Sequence, residues 1–261
     1  MSDKVPSNSL TSLISDKDPP PFQVINRNGT TDLLLVCDHA GQKIPQALLG
    51  LGLKKETFNL HVAYDVGASQ VACNLSDFLD APLVLANYSR LLIDPNRSPE
   101  DPESILPTSD GIPVPGNKNL DKNSRNKRVR DIFNPYHDAI HQLLEKITNT
   151  GKKPAFLSIH SFSPEYGEKP RPWDIGVLWN SDQRIAIPLM KLLKAKGLNV
   201  GDNLPYSGHD LAYTIDRHGG ARKLPNCAVE INQNQLQDET GIMRWSNILG
   251  ETLIKVVKGL D

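Results

Sequence analysis

Two histidines stand where apolar runs of the chain end. Leu33-Leu34-Leu35-Val36-Cys37 leads directly into Asp38-His39, and Ala155-Phe156-Leu157-Ser158-Ile159 into His160-Ser161. A further run, Cys227-Ala228-Val229-Glu230-Ile231, carries a glutamate in its interior. Leu83-Val84-Leu85-Ala86 is followed by Tyr88-Ser89-Arg90 and then Asp94-Pro95-Asn96-Arg97. A catalytic zinc takes three protein ligands and keeps one position open for water. His39 and His160 supply two imidazoles. The third ligand should be a carboxylate or another imidazole, and Asp65 is the choice, with His61, four residues before it, in reserve. A bound divalent ion activates water. Glu230 is then the group to take a proton from that water and pass it to a leaving nitrogen. Arg90 can polarise the scissile carbonyl and stabilise the developing oxyanion. Arg97 offers a planar, two-pronged donor for a substrate carboxylate, oriented by Asn96 and Asp94. These residue types together suit a metal-assisted hydrolase.

Each residue also has a plainer reading. Strand-end histidines are often structural. Asp is favoured at helix N-caps, so on spacing alone Asp65 is better read as the cap of a helix over 66–79. Arg90 and Arg97 read equally as surface ion pairs. Glu230, inside an apolar strand, is harder to dismiss, because a buried unpaired carboxylate is costly and often functional. His137 and His141 share a helix face at i, i+4, but the residues between them, Asp138-Ala139-Ile140, lack the glutamate of an HExxH motif. His209 and His218 lie in Gly-rich polar stretches, Tyr206-Ser207-Gly208-His209-Asp210 and Arg217-His218-Gly219-Gly220. Such loops are exposed, and both histidines are expected to contact substrate.

The elements that must position these groups alternate along the chain. The apolar runs are strands, with Ile175-Gly176-Val177-Leu178-Trp179 as one more of them; runs of this kind suit strands covered on both faces. Ala68, Val71, Ala72, Leu75, Phe78 and Leu79 make one stripe of a helix. A long helix is expected from Val129 to Ile147, kinked or broken at Pro135. Residues 182–196 are expected to be helical, with Gly197 after them as C-cap, and so are residues 239–258. Residues 98–120, rich in Pro, Asp, Ser and Gly, read as a long surface loop. The pattern predicts one α/β domain over 23–261, a mostly parallel mixed sheet with helices on both faces, preceded by a flexible leader over 1–22. Parallel strands would bring the polar residues to one rim, where α/β sheets bind ligands.

Composition narrows the partners. The chain has 29 Lys and Arg against 30 Asp and Glu, which excludes a broadly basic nucleic-acid binder. Three cysteines form no CxxC pair, so neither a disulfide framework nor a thiolate zinc site is expected, and a reducing compartment is. The first residues are polar with no apolar core of a secretory signal, and no run approaches the roughly 18 apolar residues of a membrane span. A cytoplasmic protein with a small-molecule partner, no nucleic acid and no membrane is the expectation.

The same residues resemble the N-formylglutamate amidohydrolase family. The matching stretches are Val36-Cys37-Asp38-His39-Ala40-Gly41 with Ile44-Pro45, His61-Val62-Ala63-Tyr64-Asp65-Val66-Gly67-Ala68, and Tyr88-Ser89-Arg90 through Asp94-Pro95-Asn96-Arg97. Beyond them come Pro135-Tyr136-His137, Ile159-His160-Ser161-Phe162, Asp174-Ile175-Gly176-Val177-Leu178, Asn203-Leu204-Pro205-Tyr206-Ser207-Gly208 and Val229-Glu230-Ile231. They follow the family's order over roughly residues 33–235. The resemblance implies the zinc-exopeptidase-like fold of carboxypeptidases and aspartoacylases. It also implies zinc (another divalent transition metal being possible) on His39 and His160, and a carbonyl-polarising Arg90. Asp94, Asn96 and Arg97 would then hold a substrate carboxylate, and Glu230 would be general base. The implied reaction is hydrolysis of N-formyl-L-glutamate to formate and glutamate, a step of histidine catabolism. Carboxypeptidase-type sites use HxxE, and here the residue in the Glu position is Gln42, so the carboxylate ligand must come from elsewhere. Asp38 stands where family members commonly have Glu, and Asn232 and Gln233 where an arginine is common. These departures keep two alternatives open: a zinc carboxypeptidase or peptidoglycan-type amidase, and an inactive carboxylate-binding homologue.

Overall fold

The structure, a computed structural model, describes residues 12–260. Seven strands form one sheet: β1 (Phe22–Ile25), β2 (Leu33–Cys37), β3 (Leu83–Ala86), β4 (Ala155–Phe162), β5 (Ile175–Leu178), β6 (Val200–Asp202) and β7 (Asn226–Asn232), in the spatial order β1-β3-β2-β4-β7-β5-β6. The four central strands β3, β2, β4 and β7 are mutually parallel. β1 pairs antiparallel with β3 at one edge. At the other edge β5 is antiparallel to β7 and carries β6 parallel to itself. The sheet is therefore mixed, as the sequence predicts. β1 and β6, short strands of four and three residues, are additions to that prediction.

The continuous apolar runs are explained by helices on both faces. Leu33, Leu35 and Cys37 of β2 point to a core shared with α1 (Ala68–Leu79), α4 (Ala186–Ala195) and α7 (Glu239–Val257). Leu34 and Val36 point the other way, to α3 (Asn134–Thr148) and to α6 (Tyr213–His218), which follows the short α5 (Gly208–Leu211). Every residue of β2 is buried because each side of the pleat has its own helical cover.

Three expectations gain detail. The helix is interrupted just before Pro135 but does not end there. A π-turn, Val129–Phe133, joins α2 (Lys122–Arg128) to α3, with the Asn134 amide donating to the Val129 carbonyl. The chain thereby absorbs the missing donor at position 135 in a locally wider turn. Residues 98–120 are no featureless loop. They contain a two-residue hairpin, Thr108–Ser109 with Ile112–Pro113, and bury Ile105 and Val114. Arg128, fully buried, ties this segment down by donating to the carbonyls of Leu92 and Gly116 (2.7 and 2.8 Å) and to Asn117 Oδ1 (2.6 Å). Asn117 in turn donates to the Leu91 and Leu106 carbonyls. With no carboxylate beside it, burial lowers the Arg128 pKa to about 10. Finally, the described part of the expected leader is tied to the domain. The Pro19 and Pro20 carbonyls accept from Tyr88 Oη and Asn87 Nδ2, and the Leu13 amide donates to Asp131. Residues 1–11 lie outside the described residues. Among the described residues, no helix is long and apolar enough to cross a membrane.

Candidate metal centre and active site

The parallel centre of the sheet delivers the polar residues to one rim. His39 follows β2 by two residues. His160 and Glu230 sit side by side in the registered pair of β4 and β7. Asp65 arrives on the loop before α1, drawn in by its backbone amide donating to the His39 carbonyl at 2.9 Å. Gly67, at φ +78°, closes that loop, and a Cβ there would lie 2.6 Å from Leu236 Cβ. The Asp65 carboxylate makes no helix cap: α1 begins at Gly67 with no side-chain cap, and Asp65 turns inward. Its Oδ2 lies 3.3 Å from His39 Nδ1 and 2.8 Å from His160 Nδ1. Of the two readings open at Asp65, the structure favours the inward one.

One potential ligand atom from each of His39, Asp65 and His160 lies within 4.8 Å of the others, and all three residues are buried. Ligands of a tetrahedral zinc, each about 2.0–2.1 Å from the ion, are about 3.3 Å apart. Two of the separations, 3.3 and 2.8 Å, lie near that spacing, and the three donors are a set that could hold a divalent ion. The outer ring nitrogens are also partnered. His39 Nε2 is 2.8 Å from Asp94 Oδ1, and His160 Nε2 is 3.0 Å from Asp38 Oδ2. Each imidazole is thus oriented by a carboxylate behind it, the arrangement that fixes the tautomer of metal-binding histidines.

Asp38 is entirely buried and saturated. Its Oδ2 accepts from Ser158 Oγ (2.7 Å) as well as facing His160, and its Oδ1 accepts from Tyr136 Oη (2.9 Å) and Thr214 Oγ1 (2.8 Å). Burial alone would raise its pKa. The hydrogen bonds and charge of His160 overcome that and hold it well below the usual carboxylate range. Asp94 is held low against burial in the same way by Arg90, whose Nη2 is 2.9 Å from Asp94 Oδ2, and by His39. Arg90 Nη1 lies 3.6 Å from Asp65 Oδ1. Glu230 behaves oppositely. Burial pushes its pKa up to about 7, and its Oε2 has no hydrogen-bond partner. It is a buried carboxyl near neutral pKa beside the triad.

Two small cavities meet here. One, about 110 Å³, is lined by His39, Arg90, Arg97, Tyr206 and Glu230 among others. The other, about 220 Å³, contains Asp65, Arg90, Arg97 and Tyr206 and reaches outward to Glu103 and Tyr166. Arg90, Asp94, Arg97 and Tyr206 line both.

The remaining candidates sort differently. Asp94 faces His39 and Arg90 and lies 4.0 Å from Arg97 Nε, so it braces the histidine more closely than it orients Arg97. Asn96 lines the smaller cavity, but its Oδ1 accepts from the Thr214 amide, which fastens the loop to α6. His209 and His218, expected at the substrate, line neither cavity. His209 is exposed and faces Asn180 Oδ1 at 2.9 Å. His218 is 3% exposed because α6 packs its ring against His137 on the helical side of the sheet. His61 pairs with Asp110 at the surface, and Gln42 lies in a separate groove. His141 contacts Arg222 and shares no metal cluster with His137.

Tyr206 is the residue that spacing alone does not single out. It follows a tight turn made possible by Gly176 and Gly201, where a Cβ would meet the Leu204 carbonyl at 2.1 and 2.4 Å. Its hydroxyl accepts from Arg171 Nη1 at 3.0 Å. The only sequence signal for it is its place in the Asn203–Gly208 stretch.

His137 and His218 form a neutral relay behind the site. His137 Nε2 donates to the Pro95 carbonyl (2.9 Å), so its Nδ1 must accept, and His218 Nε2 donates to it (2.8 Å). His218 Nδ1 is then a bare acceptor, and it has no partner. Burial lowers the two pKa values to about 4 and about 2. Both lie below the unfolded value near 6.5, so the stability the pair contributes is complete above that pH and is lost as pH falls toward 4. In His218→Leu, the acid slope of unfolding free energy between pH 6 and 5 should drop by about 1.4 kcal/mol per pH unit, one proton's worth, in urea titrations of metal-free protein. An unchanged slope would refute the neutral pair. For the triad, Asp38→Asn should weaken zinc binding about 10- to 100-fold in a chelator competition titration; wild-type affinity in that variant would mean Asp38 does not orient His160.

Comparison with known proteins identifies the family and the fold. The family model for N-formylglutamate amidohydrolase matches residues 31–236. No curated protein matches the chain. Among solved structures, gene product Atu2144 from Agrobacterium tumefaciens is 31% identical, with a TM-score of 0.92, over 95% of this chain and 99% of that one. N-formylglutamate amidohydrolase from Ralstonia eutropha JMP134 is 16% identical with a TM-score of 0.66, over 92% of this chain and 98% of that one, and shares the fold. The family match spans β2 to β7 and includes His39, Asp65, His160 and Glu230, and on it the chain belongs to the N-formylglutamate amidohydrolase family.

Proposed function

We propose that this amidohydrolase is metal-dependent and cleaves the linear amide of an N-acyl amino acid, with N-formyl-L-glutamate, giving formate and glutamate, as the first candidate substrate. The observation that carries this reading is the buried His39–Asp65–His160 triad beside an unpartnered Glu230 carboxyl. Two imidazoles and one carboxylate are a ligand set that zinc accepts with a position left for water. Other divalent transition metals fit the same donors. When bound there, the ion supplies Lewis-acid polarisation and lowers the pKa of water.

The chain's own groups then have separate tasks. Glu230, whose pKa of about 7 puts it midway between its two protonation states, takes a proton from the attacking water and delivers it to the amide nitrogen as the C–N bond breaks. The products are a carboxylic acid and a free amine, so the atoms of one water are consumed. Arg90 has N–H groups beyond those facing Asp65 and Asp94 and lines both cavities, which suits it to the carbonyl oxygen. Arg97, which lines both cavities, would take a substrate carboxylate. The cavities, about 110 and 220 Å³, are small beside the 300–1,000 Å³ common for drug-sized ligands. That supports a short N-acyl amino acid over an extended peptide.

Metal-loaded protein should release formate from N-formylglutamate, lose that activity with a chelator and regain it with added zinc. Absence of formate release across a panel of N-formyl amino acids would remove this reading. Glu230→Gln should lower turnover about 10²- to 10⁴-fold while retaining the metal. Loss of metal together with turnover would instead make Glu230 a ligand.

A further inference from the structure

Arg97 is already engaged by the chain's own acids. Its Nη1 lies 2.9 Å from Glu103 Oε2 and 3.4 Å from Asp101 Oδ2, and its Nε 4.0 Å from Asp94 Oδ2. One arm of the planar donor, Nη1, is therefore occupied by the chain's own acids before any ligand arrives, and a two-pronged contact through it requires them to give way.

The three acids are not equivalent. Asp94 is buried and committed to His39 and Arg90. Asp101 is fixed because its Oδ1 accepts the Glu103 amide at 2.8 Å, capping the short helical turn Pro102–Ser104. Arg125 holds the same stretch of backbone, donating to the Pro99 and Asp101 carbonyls and to Ser104 Oγ at 2.7 Å each. Glu103 differs from both. Its side chain is 59% exposed, against 34% for Asp101 and 23% for Arg97, and among the described residues Arg97 is the cation its carboxylate meets. It lines the 220 Å³ cavity together with Arg97. Because the backbone beneath it is clamped, only side-chain torsions must change for its carboxylate to leave toward solvent. An ion pair this exposed is worth little.

We propose that Glu103 is a specificity-determining residue: a resident carboxylate that occupies Arg97 and yields it to the carboxylate of an acidic ligand. The exchange keeps the partly buried guanidinium paired at every stage, which avoids the cost of an uncompensated charge. A ligand with a carboxylate in the right place takes over Nη1 from Glu103 and adds a second N–H, making the contact two-pronged. A neutral one leaves Arg97 with Glu103 and gains nothing from it. The affinity for acids is thus set by the difference between the ligand's contact and that of Glu103. The identity of the ligand as an N-acyl acidic amino acid rests on the function proposed above; the exchange itself can be read without turnover.

The test is calorimetric titration of metal-loaded protein with glutarate, and with glutaramide as its neutral counterpart. Glu103→Gln should tighten glutarate two- to five-fold and leave glutaramide unaltered. Removing a negative charge also attracts any anion through the general field, so the same change is made in an Arg97→Gln background. There the tightening should vanish if Glu103 acts by competing for Arg97. Unchanged glutarate affinity in Glu103→Gln, equal tightening of glutaramide, or tightening that persists without Arg97 would each overturn the proposal. Tightening of glutarate in a protein that releases no formate would leave this inference standing and discard the amidase reading. Formate release with no change in glutarate affinity would do the reverse.

Discussion

Charge compensation inside the sheet rim is what the rest of this molecule is arranged around. Asp38, Asp65 and Asp94 are all buried, and unpaired carboxylates there would cost several kcal/mol each. They are tolerated because each faces an imidazole, and Asp65 and Asp94 face Arg90 as well. The histidines depend on the acids in return: His39 and His160 each lie between two carboxylates, one at each ring nitrogen. Asp65 and Asp94 each have more than one imidazole or guanidinium partner, whereas among the described residues the only such partner of Asp38 is His160. Such a network holds its geometry rigidly, and a metal site requires that of its ligands.

The surrounding architecture serves that network from three directions. The parallel strands β2, β4 and β7 fix His39, His160 and Glu230 on rigid elements, and the Asp65 loop is pinned by a backbone hydrogen bond to the His39 carbonyl. From behind, α3 and α6 supply Tyr136, Thr214, His137 and His218, which hold Asp38 and the Pro95 carbonyl. In front, the segment over 98–120, anchored by the buried Arg128 and Asn117, forms the outer wall and brings Asp101 and Glu103 to Arg97. Glu230 is left out of this compensation. It is the buried acid of the rim in which burial outweighs the nearby cations and the pKa ends raised, so the group with the least support is also the one able to exchange protons near neutral pH.

Much of this was legible in residue order. Continuous apolar runs identified the four central strands, and the polar residues at their ends marked the rim. The helical stripe of α1 and the final helix follow from their periodicity. Where local signals misled, the reason is a contact made far away in sequence. Asp65 reads as a helix cap because Asp favours that position, yet His160, 95 residues on, draws its carboxylate inward. His218 reads as exposed because glycines follow it, yet α6 packs its ring against His137, 81 residues before it. Residues 98–120 read as a loop because their composition is that of one. A buried arginine on a later helix gives them a fixed form.

By itself, then, the amino-acid order determined which residue types are available for chemistry and which end of each strand they occupy, because hydrophobic periodicity and strand ends are local properties. The tertiary structure alone decided which of those groups cluster as potential metal ligands, which brace a neighbour and which face the cavities. Those roles depend on distances of about 3 Å between side chains dozens of residues apart, and on burial, which sets the protonation state each group can keep.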